Sequence, residues 1–163
     1  MTQVRAARPT DFGALLALNA ESVQGLSPLD LSQLEALDAA SALHQVIEVD
    51  GQIAGFLLGL RETAPYDNVN HRWFAHRYPR FLYVDRIVVS ARYRRAGLGG
   101  QLYGAALGHA RAQAVPVITC EYDVEPPNPV SAAFHRTMGF TEVGRQHIPH
   151  RSKTVSMQAL TLI

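Results

Sequence analysis

Residues 92–100 (RYRRAGLGG) constrain the fold more than any other stretch of the chain. They follow an apolar, β-branched run at 81–89 (FLYVDRIVV) and precede a run from 98 to about 113 whose apolar residues have helical spacing. A strand that turns directly into a helix leaves the first N–H groups of the helix unpaired at the positive end of its dipole. The sequence therefore predicts a corner that binds a phosphate or pyrophosphate.

The glycine spacing narrows the choice of ligand at this corner. A P-loop needs Gly-Lys-Ser/Thr, whereas residues 99–101 are Gly-Gly-Gln. A dinucleotide fingerprint needs a third glycine where Leu102 stands. The arginines add charge-assisted donors, and the glycines let a ligand approach the backbone. The pattern predicts a phosphorylated cofactor, and a glycine-rich turn with solvated arginines is the alternative.

A second pattern lies at 128–140 (NPVSAAFHRTMGF). Asn128-Pro129 is a typical helix start and Gly139 a typical helix stop. Together the two segments resemble the signature motifs of the GNAT superfamily of acyl-CoA N-acyltransferases, in the order of that family and on the same kinds of element. The matching residues are Arg94-x-x-Gly97-x-Gly99 and Asn128-x-x-Ser131-x-x-Phe134-His135-x-x-x-Gly139-Phe140.

The resemblance implies a single domain over residues 1–163 with the GNAT fold, an α/β (α+β) architecture. A mixed, mostly antiparallel sheet of six to seven strands is expected, flanked by helices on both sides. The implied enzyme is an N-acetyltransferase (acyltransferase), with acetyl-CoA as the acyl-donor substrate. Its acetyl group would pass to a primary amine by direct attack in a ternary complex.

The resemblance also implies which residues hold the cofactor. Backbone amides at 87–89 would pair with the pantetheine arm, and those at 94–99 would hold the pyrophosphate. Strands 81–89 and 115–123 would splay apart to admit it. Asn128 and Ser131 would face the pantetheine or the thioester, although Asn128 can also serve as a helix cap. The candidate cofactor-binding residues are Ile87, Val88, Val89, Arg94, Arg95, Ala96, Gly97, Leu98, Gly99, Gly100, Asn128 and Ser131.

His135 is the candidate general acid. It stands where the family commonly has a tyrosine, whose hydroxyl can protonate the leaving thiolate. His135 shares a helix face with Ser131, four residues earlier, and could point into the cofactor cleft. Histidine has a reference pKa of about 6.5, so an acid role requires a carboxylate that raises this value. Otherwise the residue positions a water or packs.

A general base is also needed, because an ammonium group cannot attack a thioester. Strict strand alternation puts Asp85, Ile87 and Val89 on one face. Glu121 and Asp123 share a face of the neighbouring strand. Asp85 is the first candidate base and Glu121 the second, and each could instead be a structural ion-pair partner.

Composition excludes several classes of partner. A net charge of +1 without a massed basic patch argues against nucleic acid, and no apolar run approaches the roughly 18 residues of a membrane span. Cys120 lies in an apolar run, which predicts a buried thiol in a reducing, cytoplasmic compartment. His71 and His76 lack further paired ligands, so we expect no metal and place both on a surface loop.

The remaining elements follow from apolar periodicity and breakers. Strands are predicted at 3–7, 43–49, 52–60, 140–147 and 153–161, and helices after a Thr10 or Asp11 cap, at 29–40 and at 130–138. Ser27-Pro28 would separate the first two helices. Residues 61–80 are expected to form an irregular substrate-side loop, and Gly104 and Gly108 indicate close helix packing.

Two other functions remain compatible with the sequence. One is a non-catalytic acyl-CoA-binding or regulatory domain that has lost its acid, as the histidine at 135 would allow. The other is an unrelated phosphate- or nucleotide-binding α/β domain. Acceptor specificity is expected at 10–40, at 61–80 and in the closing strands, without a pattern that identifies the amine. The family also makes a homodimer through the closing strands conceivable.

Overall fold

A computed structural model describes residues 1–22 and 28–162. Within them, seven strands form one mixed, mostly antiparallel sheet in the order β1-β2-β3-β4-β5-β7-β6. The strands are β1 (Thr2–Ala6), β2 (Leu43–Val49), β3 (Gln52–Arg61), β4 (Leu82–Val89), β5 (Val117–Glu125), β6 (Thr141–Ile148) and β7 (Lys153–Thr161).

Five α-helices in the same residues cover both faces of the sheet. The first three pack with one hydrophobic cluster, which includes Phe12, Leu34 and Phe74. The fourth packs with a second cluster on the opposite face, which includes Leu102, and the fifth adds Phe134 to that cluster. None of the described helices is long and apolar enough to cross a membrane. The helices are α1 (Phe12–Glu21), α2 (Leu31–Ala40), α3 (Val69–Ala75), α4 (Leu98–Ala112) and α5 (Pro129–Met138).

The parallel pair β4–β5 opens almost at once. Leu82 pairs with Ile118 and Tyr83 with Thr119, and beyond these pairs the two strands have no further register. On its other edge β4 stays paired with β3 as far as Val89. The predicted splay between these strands is therefore present.

A β-bulge at Asp85 changes the direction of the side chains on β4. Leu58 pairs with Arg86 and Gly59 with Val84, so Asp85 is an extra residue without a partner on β3. Beyond the bulge Val88 packs with the cluster under α1–α3, whereas Ile87 and Val89 pack with the cluster under α4. The prediction that Asp85 shares a face with Ile87 and Val89 is wrong, because strict alternation does not survive a bulge.

The segment 61–80 contains α3, which the sequence analysis missed. The Asn68 side chain caps this helix by accepting hydrogen bonds from the N–H groups of Asn70 and His71 at 2.9 and 3.1 Å. Phe74 on α3 is fully buried, and Gln146 on β6 donates to Asn70 Oδ1 at 2.9 Å. With seven residues, α3 is too short for apolar periodicity to reveal it.

The predicted cap of the first helix and the predicted start of the second differ from the observed ones. Asp11 directly precedes α1, but its carboxylate binds the guanidinium of Arg5 and the N–H of Arg8 rather than capping the helix. α2 begins at Leu31, after a reciprocal capping box between Asp30 and Gln33. Ser27 of the predicted break lies outside the described residues.

Gly104 and Gly108 do not mark close packing, contrary to the prediction, because a Cβ at either position would meet no atom within 4 Å. A Cβ at Gly144 on β6 would instead overlap the indole ring of Trp73 on α3. A glycine thus allows close packing between α3 and β6.

Alanine substitutions at Gly144 and Gly104 should change stability in opposite directions. Gly144→Ala forces the Trp73 ring out of place, and overpacking of this kind costs about 1–3 kcal/mol. Gly104→Ala gains about 1 kcal/mol, because alanine has the better helix propensity and has space there. Urea unfolding of both variants measures the free energies, and equal effects would contradict this packing.

Candidate functional site

The corner between β4 and α4 has the geometry of an anion site. Ser90 follows β4, and a short 3₁₀ turn at Ala91–Tyr93 leads to Gly97, whose φ of +77° is left-handed. No side chain in the described residues caps α4, so its first N–H groups are available to a ligand. Arg92, Arg94 and Arg95 are exposed there, without an ion pair in the described part of the chain.

Gly97 and Gly99 have different structural roles at this corner. Gly97 provides the positive φ, and a Cβ on it would meet nothing within 4 Å. A Cβ on Gly99 would lie 2.9 Å from Phe134 Cζ, so Gly99 allows α5 to pack against the start of α4. The need for space at Gly99 thus comes from the protein itself, which the motif alone did not indicate.

The opening between β4 and β5 ends at this corner. Beyond Tyr83 no described strand pairs with the edge of β4 that faces β5. Ile87, Val88 and Val89 lie on this stretch of β4, and their pairing partners all belong to β3. A free strand edge leaves backbone donors and acceptors for an extended ligand. The predicted pantetheine and pyrophosphate residues thus follow one another along a continuous surface.

On the other side of the opening, Asn128 caps α5. Its Oδ1 accepts a hydrogen bond from the N–H of Ser131 at 3.2 Å, as the capping interpretation predicted. Ser131 is partly exposed on the first turn of α5, and its Oγ lies 3.2 Å from His135 Nδ1. A role for either residue toward a cofactor stays a prediction.

His135 is buried, and both of its ring nitrogens have partners. Nδ1 donates to the carbonyl of Ser131 at 2.8 Å, which leaves Nε2 to accept from the Tyr103 hydroxyl at 2.9 Å. The rings of Tyr103, Tyr122 and Phe140 surround the imidazole with centroid distances of 5.3 to 5.7 Å. Burial lowers the pKa of His135, although the bond to Ser131 opposes this shift. The geometry favours packing over an acid role.

The two candidate bases each accept a hydrogen bond from a tyrosine. The Tyr66 hydroxyl donates to Asp85 Oδ1, and Arg86 Nε donates to Asp85 Oδ2 at 2.7 Å. The Tyr83 hydroxyl donates to Glu121 Oε1 at 2.6 Å. Asp85 and Glu121 are near enough to interact electrostatically, because the charge of Asp85 adds to the pKa of Glu121.

The electrostatics of the two carboxylates differ. Desolvation raises the pKa of Glu121 from 4.5 to about 8; the Tyr83 hydrogen bond opposes the rise, and the negative charge of Asp85 adds to it. The side chain of Asp85, by contrast, forms a buried ion pair with Arg86. Burial raises the pKa values of Tyr66 and Tyr83, so both phenols stay protonated as donors. Glu121 is therefore the carboxyl that titrates near neutral pH.

Sequence reasoning missed the aromatic residues that hold these carboxylates. Tyr83 lies two residues before Asp85, a spacing that could have indicated it, whereas nothing marks Tyr66 within the loop. His71 packs edge-on against both tyrosine rings at 5.8 and 5.7 Å, and its Nε2 donates to the carbonyl of Arg61 at 2.9 Å.

The predictions for Cys120, His71 and His76 are partly confirmed. Cys120 is buried, as predicted, and burial raises the pKa of its thiol. His76 is exposed, as expected, but His71 is buried and does not belong to a surface loop. The described residues contain no group of three or more histidine, cysteine and acidic side chains that could hold a metal.

Comparison with known proteins places this geometry in context. Residues 13–140 match the family model described as the Acetyltransferase (GNAT) family. No curated protein matches the chain by sequence.

Three solved structures have a similar fold. Ard1 from Thermoplasma volcanium is 17% identical with a TM-score of 0.80, over 99% of this chain and 98% of that chain. Ribosomal-protein-alanine N-acetyltransferase from Brucella melitensis is 23% identical with a TM-score of 0.75, over 98% and 99% of the respective chains. Arabidopsis thaliana Naa50, in complex with the bisubstrate analogue CoA-Ac-MVNAL, is 15% identical with a TM-score of 0.75, over 99% of both chains.

The raised pKa of Glu121 should make stability depend on pH. Between its ordinary value of 4.5 and about 8, the folded protein keeps a proton that the unfolded chain has released. The stability contributed by this proton is therefore lost as the pH rises through that window. Glu121→Gln removes the titration, so the wild type should lose stability relative to this variant from about pH 5 to about pH 8.

Urea unfolding of both proteins across this range measures the difference in their free energies. A difference that is independent of pH would show that Glu121 titrates normally in the folded state. Exposed Glu35→Gln on α2 is the control, and its difference from the wild type should stay constant over the window.

Proposed function

Because the chain belongs to the GNAT acetyltransferase family, we propose that it transfers an acetyl group from acetyl-CoA to a primary amine by direct attack in a ternary complex. The observation that carries this proposal is the early parting of β4 and β5 beside the uncapped start of α4. A strand edge that leads to a helix N-terminus suits an extended thioester with an anionic end.

The cofactor would lie along this surface in a defined direction. Its pyrophosphate would accept hydrogen bonds from the backbone at 94–100, with Arg94 and Arg95 adding positive charge. The amides at 87–89 would pair with the pantetheine arm. Asn128 and Ser131 lie on the α5 side of the opening, where the thioester would be held.

Glu121 is our candidate for the general base. The base must take a proton from the ammonium form of the acceptor, and a carboxylate with a pKa of about 8 holds that proton far better than an ordinary one. The amine nitrogen then forms a bond to the acetyl carbon while the carbon–sulfur bond breaks. The electron pair of that bond leaves with the sulfur, and the second proton of the former ammonium group passes to this thiolate to give the CoA thiol.

Asp85 is better suited to positioning than to proton transfer, although it was the first candidate base. Both of its oxygens are engaged, one by Tyr66 and one by Arg86. Its negative charge still raises the pKa of Glu121 and attracts an incoming ammonium group.

Catalysis in this proposal does not depend on His135 as an acid. A neutral imidazole whose nitrogens bind Ser131 and Tyr103 has no proton to offer the cleft. The leaving group is a thiol, and thiols such as cysteine have a pKa of about 8.5, so a thiolate can leave near neutral pH. We assign His135 to joining α5 to α4 through Tyr103.

The acceptor class and the assembly are open to experiment. By their names, the Brucella protein acts on an alanine of a ribosomal protein, and the Arabidopsis protein was solved with a CoA–peptide conjugate. Both comparisons are consistent with a peptide α-amine as the acceptor of this protein. A non-catalytic acyl-CoA-binding domain is the second candidate, favoured by the histidine at 135 in place of the family's tyrosine. The cytoplasmic location and the homodimer stay predictions.

Thermal unfolding with acetyl-CoA tests the proposal, with ATP and NAD as controls. A ligand at 100 times its dissociation constant adds about 2.7 kcal/mol to stability, which shifts the midpoint visibly. We expect a shift with acetyl-CoA alone, followed by CoA release with amine acceptors. A shift with acetyl-CoA but no CoA release in the presence of any amine would favour the non-catalytic domain. A shift only with ATP or NAD would exclude both the acetyltransferase and the acyl-CoA-binding domain.

Gly97→Asn should abolish the acetyl-CoA shift. Asparagine tolerates the left-handed conformation of Gly97, so the fold is retained, but its side chain occupies the space that an anion needs. The variant should unfold near the wild-type midpoint without ligand and gain little from acetyl-CoA. Gly104→Ala, inside the same helix, should keep the full shift. An undiminished shift in Gly97→Asn would disprove the pyrophosphate assignment.

A further inference from the structure

A groove of about 350 Å³ lies between α2 and residues 65–68, on the sheet face that carries α1–α3. Pockets of this size hold small ligands or a single large substituent. The wall of the groove is mainly apolar, and residues of α2 and two prolines contribute to it. The apolar lining residues are Pro28, Leu29, Ala36, Leu37, Ala40 and Pro65.

Two residues that line the groove also bind Asp85, one of the candidate catalytic carboxylates. Tyr66 lines it, and the hydroxyl of the same side chain donates to Asp85. Arg86 also lines it and binds the other oxygen of Asp85. The negative charge of Asp85 in turn adds to the raised pKa of Glu121, so the groove is linked to the candidate base through Asp85.

The charged side chains on the groove wall already have partners. Arg86 binds Asp85 at 2.7 Å and Asn19 at 2.8 Å, both within the protein. Asp67, on the outer rim, pairs with Arg72. An occupant with its own charge in the groove would therefore be desolvated without a matched counter-charge, which is costly. The chemistry of the wall selects an uncharged, apolar substituent.

The proton chemistry favours one kind of amine. An α-amino group has a pKa of about 7.7–8.0, whereas a lysine amine has about 10.4. Glu121, at about 8, can take a proton from the first almost without cost. A free amino acid would also bring a carboxylate next to its amine, and the groove offers no cation for it beyond the already paired Arg86. A peptide carries an amide there instead.

We propose that the acceptor is the α-amine of a peptide whose first residue has an aliphatic side chain, and that this side chain lies in the groove beside Tyr66. The inference rests on the proposed acetyl transfer and assigns its acceptor. Tyr66 then has two functions, since its ring forms part of the groove and its hydroxyl holds Asp85 next to the reacting amine.

A matched acceptor panel tests the assignment by CoA release. Tetrapeptide amides that differ only in a first residue of leucine, serine, aspartate or lysine form one arm. Free leucine, 3-methylbutylamine and an Nα-blocked lysine amide form the other. The leucine peptide should exceed the aspartate and lysine peptides at least tenfold in kcat/KM, within the range of about 10- to 200-fold for apolar pockets. It should also exceed every member of the second arm.

Faster turnover of the blocked lysine, of the free amino acid or of the simple amine overturns the peptide assignment while the acetyltransferase function stands. Equal rates for all four peptides overturn the role of the groove. Failure of every acceptor in a protein that still binds acetyl-CoA overturns both proposals.

Two variants of α2 provide the structural control. Ala36 lines the groove, whereas Ala39 is exposed on the same helix and lies outside it. Ala36→Glu and Ala39→Glu cost the same helix propensity, but only the first places a carboxylate in the groove. Ala36→Glu should lower kcat/KM for the leucine peptide at least tenfold and leave the acetyl-CoA shift unchanged. Ala39→Glu should match the wild type. Equal behaviour of the two variants overturns the proposal.

Discussion

The early parting of β4 and β5 is the constraint on which the rest of this structure depends. Two residue pairs hold the strands together, and beyond them the facing edges of β4 and β5 lack a neighbouring strand. Backbone groups that are buried without partners are costly, so an opening of this kind needs a ligand or solvent to satisfy it. The corner at Gly97 lies at the end of the same strand, which brings an anion site and a free strand edge together.

The opening also explains why tyrosines surround the carboxylates. Asp85 on β4 and Glu121 on β5 interact electrostatically at this opening, and two negative charges there repel each other. Arg86 neutralises Asp85, while Tyr66 and Tyr83 each donate a hydrogen bond to one carboxylate. Glu121 is buried beside Tyr83, and this burial raises its pKa to about 8.

Sequence alone predicted the parts of the site that depend on local chemistry. The glycine corner, the Asn128 cap and the positions of the strands along the chain follow from short patterns whose physics is local. The bulge at Asp85 depends on pairing with β3, and α3 depends on contacts with β6, so neither has a clear local signature. Tyr66 was missed for the same reason, since a residue in an irregular segment gains its role only through tertiary contacts.

His135 packs between α4 and α5 but is not suited to act as an acid. Its ring remains between α4 and α5 with a hydrogen bond at each nitrogen, so the packing of α5 against Tyr103 is satisfied. An imidazole that is neutral because it is buried contributes no acid, whereas the thiol leaving group needs little help near neutral pH. In the proposed reaction, proton removal from the amine is then the demanding step, and the only carboxyl at the opening with a strongly raised pKa, among the described residues, is Glu121.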